Sequence, residues 1–343
     1  MTHKGVAAAL AAAMLFGIST PLAKALLGTL DPWLLAGSLY LGSGLGLAAL
    51  RLLTPGSGVR LARSDLPWLA GAIVSGGIVA PVLLMIGLAG SSAGTASLLL
   101  NAEAVFTALL AWIVFRENAD RRIVAGMGAI VAGAVALSWP GPQAPLEASG
   151  PALAILAACL CWGIDNNLTR KVSLADPLTI AAIKGLAAGS INVLLALVAG
   201  ATVPGVGSLA LAAGLGFVGY GLSLAAFVVA LRELGTARTG AYFSTAPFIG
   251  ALVAVLWFSE PLTLRLIAAG LLMGLGVWLH LTERHDHRHR HEAIEHDHRH
   301  THDEHHRHHD GAEPDEPHAH PHRHRPLLHS HPHYPDAHHR HDH

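Results

Sequence analysis

The sequence predicts an all-α polytopic membrane protein: ten transmembrane helices arranged as two inverted five-helix repeats, followed by a disordered C-terminal tail. Three observations predict it. Hydrophobic residues make up 52% of the chain and charged residues only 13%, and apolar stretches of the roughly 20 residues that a helix needs to cross a bilayer recur as far as Leu281. The segment ASLLLNAEAVFTALLAWIVFRE, Ala96 to Glu117, returns 143 positions later as TGAYFSTAPFIGALVAVLWFSE, Thr239 to Glu260. That period is too long for a solenoid or propeller array and reads as a duplicated half-protein, an organisation common among secondary transporters. Composition then changes abruptly after Thr282: residues 283–343 hold 23 His, 8 Arg and 13 Asp/Glu in 61 positions, so no apolar core offsets the entropy of ordering them. Three units follow: a first repeat over 1–140, a second over 150–282, and the His-rich tail over 283–343.

Ten segments qualify as spans: 5–26, 32–52, 66–88, 92–115, 122–139, 150–170, 177–199, 206–230, 236–258 and 262–281. Their edges carry the punctuation of helix starts, Asp31-Pro32, Asp65-Leu66-Pro67, Asp176-Pro177 and Glu260-Pro261, because proline is tolerated at the first helical positions and not further in. The opening apolar stretch imitates a signal peptide but is long enough to span, and further spans follow it. Lys4, Arg51, Arg60, Arg63, Arg116, Arg121, Arg122, Arg170, Lys171, Arg232 and Arg238 fall at the amino terminus or in the even-numbered loops, whereas the odd loops offer Arg265 and, nearby, Lys24. Basic residues are retained on the cytoplasmic side, which predicts that both termini are cytoplasmic in a plasma membrane of bacterial inner-membrane type. Five spans per half is an odd number, so the second copy enters the membrane from the opposite side. A second echo agrees: Phe16-Gly17-Ile18 with Asp31-Pro32 matches Trp162-Gly163-Ile164 with Asp176-Pro177, which pairs the first span with the sixth. Gly42/Gly46, Gly185/Gly189 and Gly270/Gly274 have the spacing that lets helices approach closely in lipid. Cys159 and Cys161, two apart on one helix, point to different faces and read as small packing residues.

Ionisable groups inside a span cost about 2.5 to 3.5 kcal/mol on insertion scales and usually face a cavity or a partner. Glu103 in the fourth span, Asp165 in the sixth and Lys184 in the seventh stand out. Asn101 shares a face with Ser97, and Glu103 with Thr107; Asp165 is followed by Asn166, Asn167 and Thr169; Asn192 lies two turns beyond Lys184. One reading makes Glu103 or Asp165 a proton acceptor or the partner of a substrate amine. The other is an internal ion pair with Lys184. Lys24 near a span end reads as a headgroup anchor, and Glu117 and Glu260, both at span ends, as caps or loop contacts.

Ten spans in two halves, with small-residue-rich fourth and ninth spans ending in glutamate, resemble the EamA family of the drug/metabolite transporter superfamily. The stretches that carry the resemblance are Leu15-Phe16-Gly17 through Lys24, Leu160 through Lys171, and the paired segments ending at Glu117 and Glu260. Pro247 stands where such proteins commonly carry proline; the first half has Ala104. The resemblance implies export of small metabolites, amino acids or related solutes, through a central cavity between the halves.

The tail supplies neutral imidazole, a ligand suited to zinc, nickel, copper and cobalt, in runs of alternating residues: His285, His287, His289 and His291; His296, His298, His300 and His302; His318, His320, His322 and His324. No cofactor is required by this reading; nickel, cobalt or zinc bound by the tail is expected in exchangeable sites. The alternative function is therefore a divalent-metal exporter, or a metal-regulated transporter, against which stands the absence of His and Cys clusters in the spans, where His280 alone lies at the inner edge of the tenth. No GxxxxGK[ST] loop is present to cradle ATP phosphates, and neither enzymatic activity nor a nucleic-acid partner is expected. A small-molecule substrate, the bilayer and a monomeric or homodimeric state complete the expectation.

Overall fold

The computed structural model describes residues 3–54, 61–115, 121–139, 149–172, 176–234, 239, 242–282, 286–291, 295–300, 318–323 and 327–332. Two compact units result, Met1–Glu283 and Arg284–His343. In the first, eight helices among the described residues are long and apolar enough to cross a membrane, and two shorter apolar helices accompany them.

Span 1 is His3–Leu26 and span 2 Pro32–Leu53; spans 5, 6 and 7 are Arg121–Ser138, Gly150–Lys171 and Pro177–Val198, and span 10 is Leu264–Leu281. The Asp-Pro echo has a local cause. Asp31 accepts from the amides of Trp33 (2.8 Å) and Leu34 (3.3 Å), and Asp176 from those of Leu178 (2.9 Å) and Thr179 (3.2 Å), while each proline takes the first helical position, where no amide proton is needed.

The remaining spans are interrupted, which apolar patterning does not reveal. Span 3 runs as Leu66–Ala72, a π-helical turn Ile73–Val79, then Ala80–Ala89; span 8 as Val206–Leu215, a π-helical turn Gly216–Leu222, then Ser223–Leu234. The two turns sit 143 residues apart, the offset of the sequence echo. Span 4 is broken into Ala93–Leu99 and Ala102–Phe115, and span 9 has a matching turn at Ser244 and Thr245 before Ala246–Trp257. At both breaks the amides bond three residues back: Asn101 to the carbonyl of Leu98 at 3.0 Å, Thr245 to that of Tyr242 at 3.1 Å.

Packing obeys the inverted repeat. Span 2 packs on span 7, span 5 on span 10, and span 4 on span 9; span 1 packs on spans 8 and 9, and span 6 on their counterparts, spans 3 and 4. Spans 5 and 10 are clasped at both ends by one device: Arg265 donates to the carbonyl of Trp139 at 2.9 Å, and Arg122 to that of Thr282 at 2.8 Å. Those pairs too are related by 143 residues. Apolar side chains gain nothing by leaving lipid for each other, so close backbone approach must bind these helices. A Cβ on Gly185 would lie 2.7 Å from the Cα of Gly44, and one on Gly189 2.6 Å from the Cα of Leu41; Gly42 and Gly46 meet Ala213 and Phe217 of span 8. Gly270 and Gly274 make only ordinary contacts, with Leu98 and Phe248.

In the second unit, Asp286–His291 pairs antiparallel with Leu327–Pro332, and Glu295–His300 with His318–Arg323. These four segments have extended, paired backbones. Their ladders satisfy amide and carbonyl groups that have no helix to close them, and residues two apart share a face of each strand.

Gly185→Ala should lower stability by about 1–3 kcal/mol, the usual cost of overpacking a filled interface. Gly128→Ala, where a Cβ meets nothing within 4 Å, should be neutral or slightly stabilising. Thermal unfolding of the two variants in detergent decides this.

Candidate transport site between spans 3, 4, 6 and 7

The polar run of span 6 is brought to span 4 by a glycine. A Cβ on Gly163 would stand 3.0 Å from the Cβ of Phe106 and from the amide of Thr107, so the helices touch along their backbones and the longer side chains beyond interlock. Asn166 then donates through Nδ2 to Oε1 of Glu103 at 2.9 Å and to Oγ1 of Thr107 at 3.2 Å. Asn167 donates to the carbonyls of Gly163 (2.8 Å) and Thr107 (3.2 Å). Glu103, half-buried midway along span 4 just past the break, receives the Asn166 amide and has no Lys, Arg or His within salt-bridge distance among the described residues.

One residue earlier on span 6 the chemistry differs. Nζ of Lys184 reaches both oxygens of Asp165, at 2.5 and 2.7 Å, and Oγ1 of Thr169 at 3.2 Å; the Thr169 hydroxyl donates back to Asp165 at 2.8 Å. The internal pair anticipated for Lys184 is therefore made with Asp165. Asp165 is 6% exposed and rests against the π-helical turn of span 3, where a Cβ on Gly76 would overlap its carboxyl. The carbonyl of Gly76 is held by Oη of Tyr40 (2.9 Å) and Nε1 of Trp162 (3.0 Å).

The other candidates serve the irregular backbone. Fully buried Asn192 donates to the carbonyls of Gly77 and Ile78, both at 3.2 Å, inside the π-helical turn. Asn101 stands at the break of span 4 and donates to the carbonyl of Leu98 at 3.0 Å, with the sulfur of Met273 at 3.9 Å; Cys159 covers the neighbouring carbonyl of Leu99 at 3.7 Å. Lys24, expected as an anchor, meets helix-end carbonyls: its Nζ donates to Leu88 at 2.7 Å and Ala89 at 2.9 Å. Glu260 accepts from the amides of Ala93 (2.6 Å) and Gly94 (2.8 Å). His280 bonds the carbonyl of Ile123 at 3.1 Å. Glu117 lies outside the described residues.

Sequence reasoning missed Tyr40, Trp162, Gly76, Thr169 as a ligand of Lys184, and an aromatic row linking spans 1, 2, 8 and 9. In that row Phe16 packs on Tyr220 (5.6 Å between centroids) and Phe243 (5.5 Å), Tyr40 on Tyr220 (5.7 Å), and Phe227 on Phe243 (5.0 Å). Aligning the halves residue by residue would have found part of it, since Phe16 corresponds to Trp162 and Gly219 to Gly76. The same alignment places Ser19 opposite Asp165, and a Cβ on Gly219 would meet Ser19 as one on Gly76 meets Asp165.

No group of three or more His, Cys, Asp or Glu able to hold a metal is found among the described residues. Of the twelve tail histidines named above as candidate ligands, His285, His302 and His324 lie outside them. For the others the backbone register sets His287 opposite His331, His289 opposite His329, His296 opposite His322, His298 opposite His320 and His300 opposite His318; His291 is opposite Leu327.

Paired broken spans, π-helical turns at one repeat offset and a polar centre accompany a sequence that matches the EamA-like transporter family over residues 3–139 and again over 150–282. The chain belongs to the EamA-like transporter family. It is accordingly an integral membrane transporter with a small-molecule substrate. Among similar proteins are an uncharacterized transporter of Methanothermobacter thermautotrophicus, 28% identical over 294 residues, covering 80% of this chain and 85% of that one, and a probable terminal-alkyne amino-acid exporter of Streptantibioticus cattleyicolor, 29% identical over 219 residues, covering 62% and 73%. A crystal structure of another protein superposes with a TM-score of 0.63 at 22% identity, covering 80% of this chain and 98% of that one, and establishes likeness of fold.

If the Asp165–Lys184 pair is scaffold, Lys184→Met or Asp165→Asn alone should cost about 3–5 kcal/mol by stranding a buried charge, while the double variant should recover most of it. Unfolding of the three variants in detergent measures that coupling.

Proposed function

We propose that this chain is a secondary transporter that exports small metabolites carrying an ammonium group, amino acids or related solutes, by alternating access, with Glu103 as the exchangeable carboxylate. The observation that carries the reading is a charge imbalance. The polar centre holds two carboxylates and one ammonium; Lys184 is engaged with Asp165 and Thr169, and among the described residues the Glu103 carboxylate is in hydrogen-bond contact with the neutral amide of Asn166 and in no ion pair. An ionised carboxylate away from bulk water needs a cation or a proton, and a substrate ammonium or a proton meets that need in turn. Asp165 is thereby the weaker candidate for exchange. The amino-acid exporter among the similar proteins supports the substrate class.

The inverted repeat supports the mechanism, because exchanging the conformations of the halves moves a central site from one side to the other. Discontinuous spans 4 and 9 support it further, being the elements that build sites in such carriers. The distribution of basic residues supports cytoplasmic termini, and the energy source in this reading is an ion gradient, with protons as the coupling ion. We assign the tail a peripheral role as a binder of divalent nickel, cobalt or zinc, which the dense histidine pairs of its backbone register favour.

Proteoliposomes loaded with amino acids and given a proton gradient test this directly. Wild type should show gradient-dependent efflux, and Glu103→Gln should lose about 10- to 100-fold of it, the scale of a charge-assisted hydrogen bond of about 1.5–3 kcal/mol, while folding normally. Deleting residues 283–343 should leave amino-acid efflux intact. Efflux of nickel, cobalt or zinc that disappears with that deletion would overturn the reading in favour of a metal exporter.

A further inference from the structure

Two charges flank the short turn that joins spans 3 and 4, and each meets the helix end of opposite polarity. Lys24 of span 1 donates to the last carbonyls of span 3, Leu88 and Ala89, at 2.7 and 2.9 Å. Glu260, just past span 9 and therefore from the other repeat, grips the first amides of span 4, those of Ala93 and Gly94, at 2.6 and 2.8 Å. The Ser92 hydroxyl takes the next free amide, that of Thr95, at 3.1 Å. A helix start carries partial positive charge and a helix end partial negative charge, so both contacts are charge-assisted. The absence of a side chain at Gly94 leaves room for the carboxylate: a Cβ there would stand 3.2 Å from Glu260.

Glu260 is aimed by strained backbone. Ser259 adopts φ 53°, a left-handed conformation rare for a residue with a Cβ, and the Glu260 amide closes back on the carbonyl of Ala254 at 3.2 Å. Left-handed backbone at such a residue is disfavoured by its Cβ, and the turn at Ser259 is followed directly by the carboxylate that meets span 4. The internal repeat retains the charges. Arg170 occupies the position of Lys24 at an offset of 146, and Glu117 that of Glu260 at an offset of 143, although Glu103, Asp165 and Lys184 have the uncharged counterparts Ala246, Ser19 and Leu39.

We infer that Glu260, with Lys24 positioning the turn it grips, is a latch between the two repeats at the end of the bundle carrying the span 3–4 turn, and that this latch must release for that end to open. The inference rests on the alternating-access reading, with that end facing outward on the proposed orientation. It separates moving contacts from fixed ones: the span 5–10 pair, clasped alike at both ends by Arg265 and Arg122, stays put while span 4 and span 9 part at the latch.

Paired spin labels in proteoliposomes test it, on a chain with Cys159 and Cys161 replaced by alanine. Labels go at Ser91 and Leu262 across the latch, and at Val131 and Leu271 across spans 5 and 10. Glu260→Ala should raise the ratio of long to short Ser91–Leu262 distances about 10-fold or more, the equivalent of losing about 1.4 kcal/mol. Lys24→Met should shift it in the same direction to a smaller extent, and the Val131–Leu271 distance should hold in both. A Ser91–Leu262 distribution unchanged in Glu260→Ala overturns the latch. So does a change of both distances together, which would mark Glu260 as general scaffold. These distances are read without substrate, so a wild-type chain that fails to export amino acids would refute the proposed substrate class and leave the latch to be judged on its own.

Discussion

In a bilayer no water is available for a bare amide or carbonyl, so every departure from regular helix must be satisfied from within the protein. That constraint organises the centre of this molecule. The π-helical turn of span 3 frees carbonyls, and Tyr40 and Trp162 cover that of Gly76 while Asn192 covers those of Gly77 and Ile78. At the break in span 4, Asn101 and Cys159 add side-chain donors to the carbonyls of Leu98 and Leu99. Side chains that look like candidates for chemistry, because they are polar and buried, are largely the partners that irregular backbone demands. Subtracting them leaves Glu103 as a carboxylate with no ion-pair partner among the described residues, beside a Lys184 that is already engaged by Asp165.

The repeat provides a second way to separate scaffold from function. What the halves share is architectural: capping aspartates at 31 and 176, π-helical turns in spans 3 and 8, matched breaks in spans 4 and 9, and the two arginine clasps between spans 5 and 10. What they do not share is the charge at the centre. Ser19 and Asp165 occupy equivalent places against Gly219 and Gly76, so one polar niche was kept and only one copy was given a carboxylate. A symmetric scaffold can exchange conformations between its halves, whereas a single asymmetric centre gives the two states something to compete for.

Much of the fold was legible in sequence. Span number, parity and inversion follow from hydropathy, proline punctuation and the echo at 143 residues, because lipid imposes a length and an apolar composition that a sequence records directly. The interruptions were not legible. Ile73–Val79 and Leu100–Asn101 are as apolar or as ordinary as regular helix, and a π-helical turn is a choice of hydrogen-bond partner that composition does not encode. The partners of Lys24 were not legible for a related reason: a cation at a span end looks like an anchor until the neighbouring helix end, 64 residues away in sequence, is known to be within reach.

The sequence alone therefore determined the membrane class, the ten-span duplicated plan and the short roster of charged residues within it, since each is a matter of local composition and period. Only the tertiary structure decided which partner each charge takes. Lys184 belongs to Asp165 and not to Glu103, and Glu260 belongs to the start of span 4, because those distances are set by how closely glycines such as Gly163 and Gly76 let the helices approach, and close approach is a property of two surfaces together.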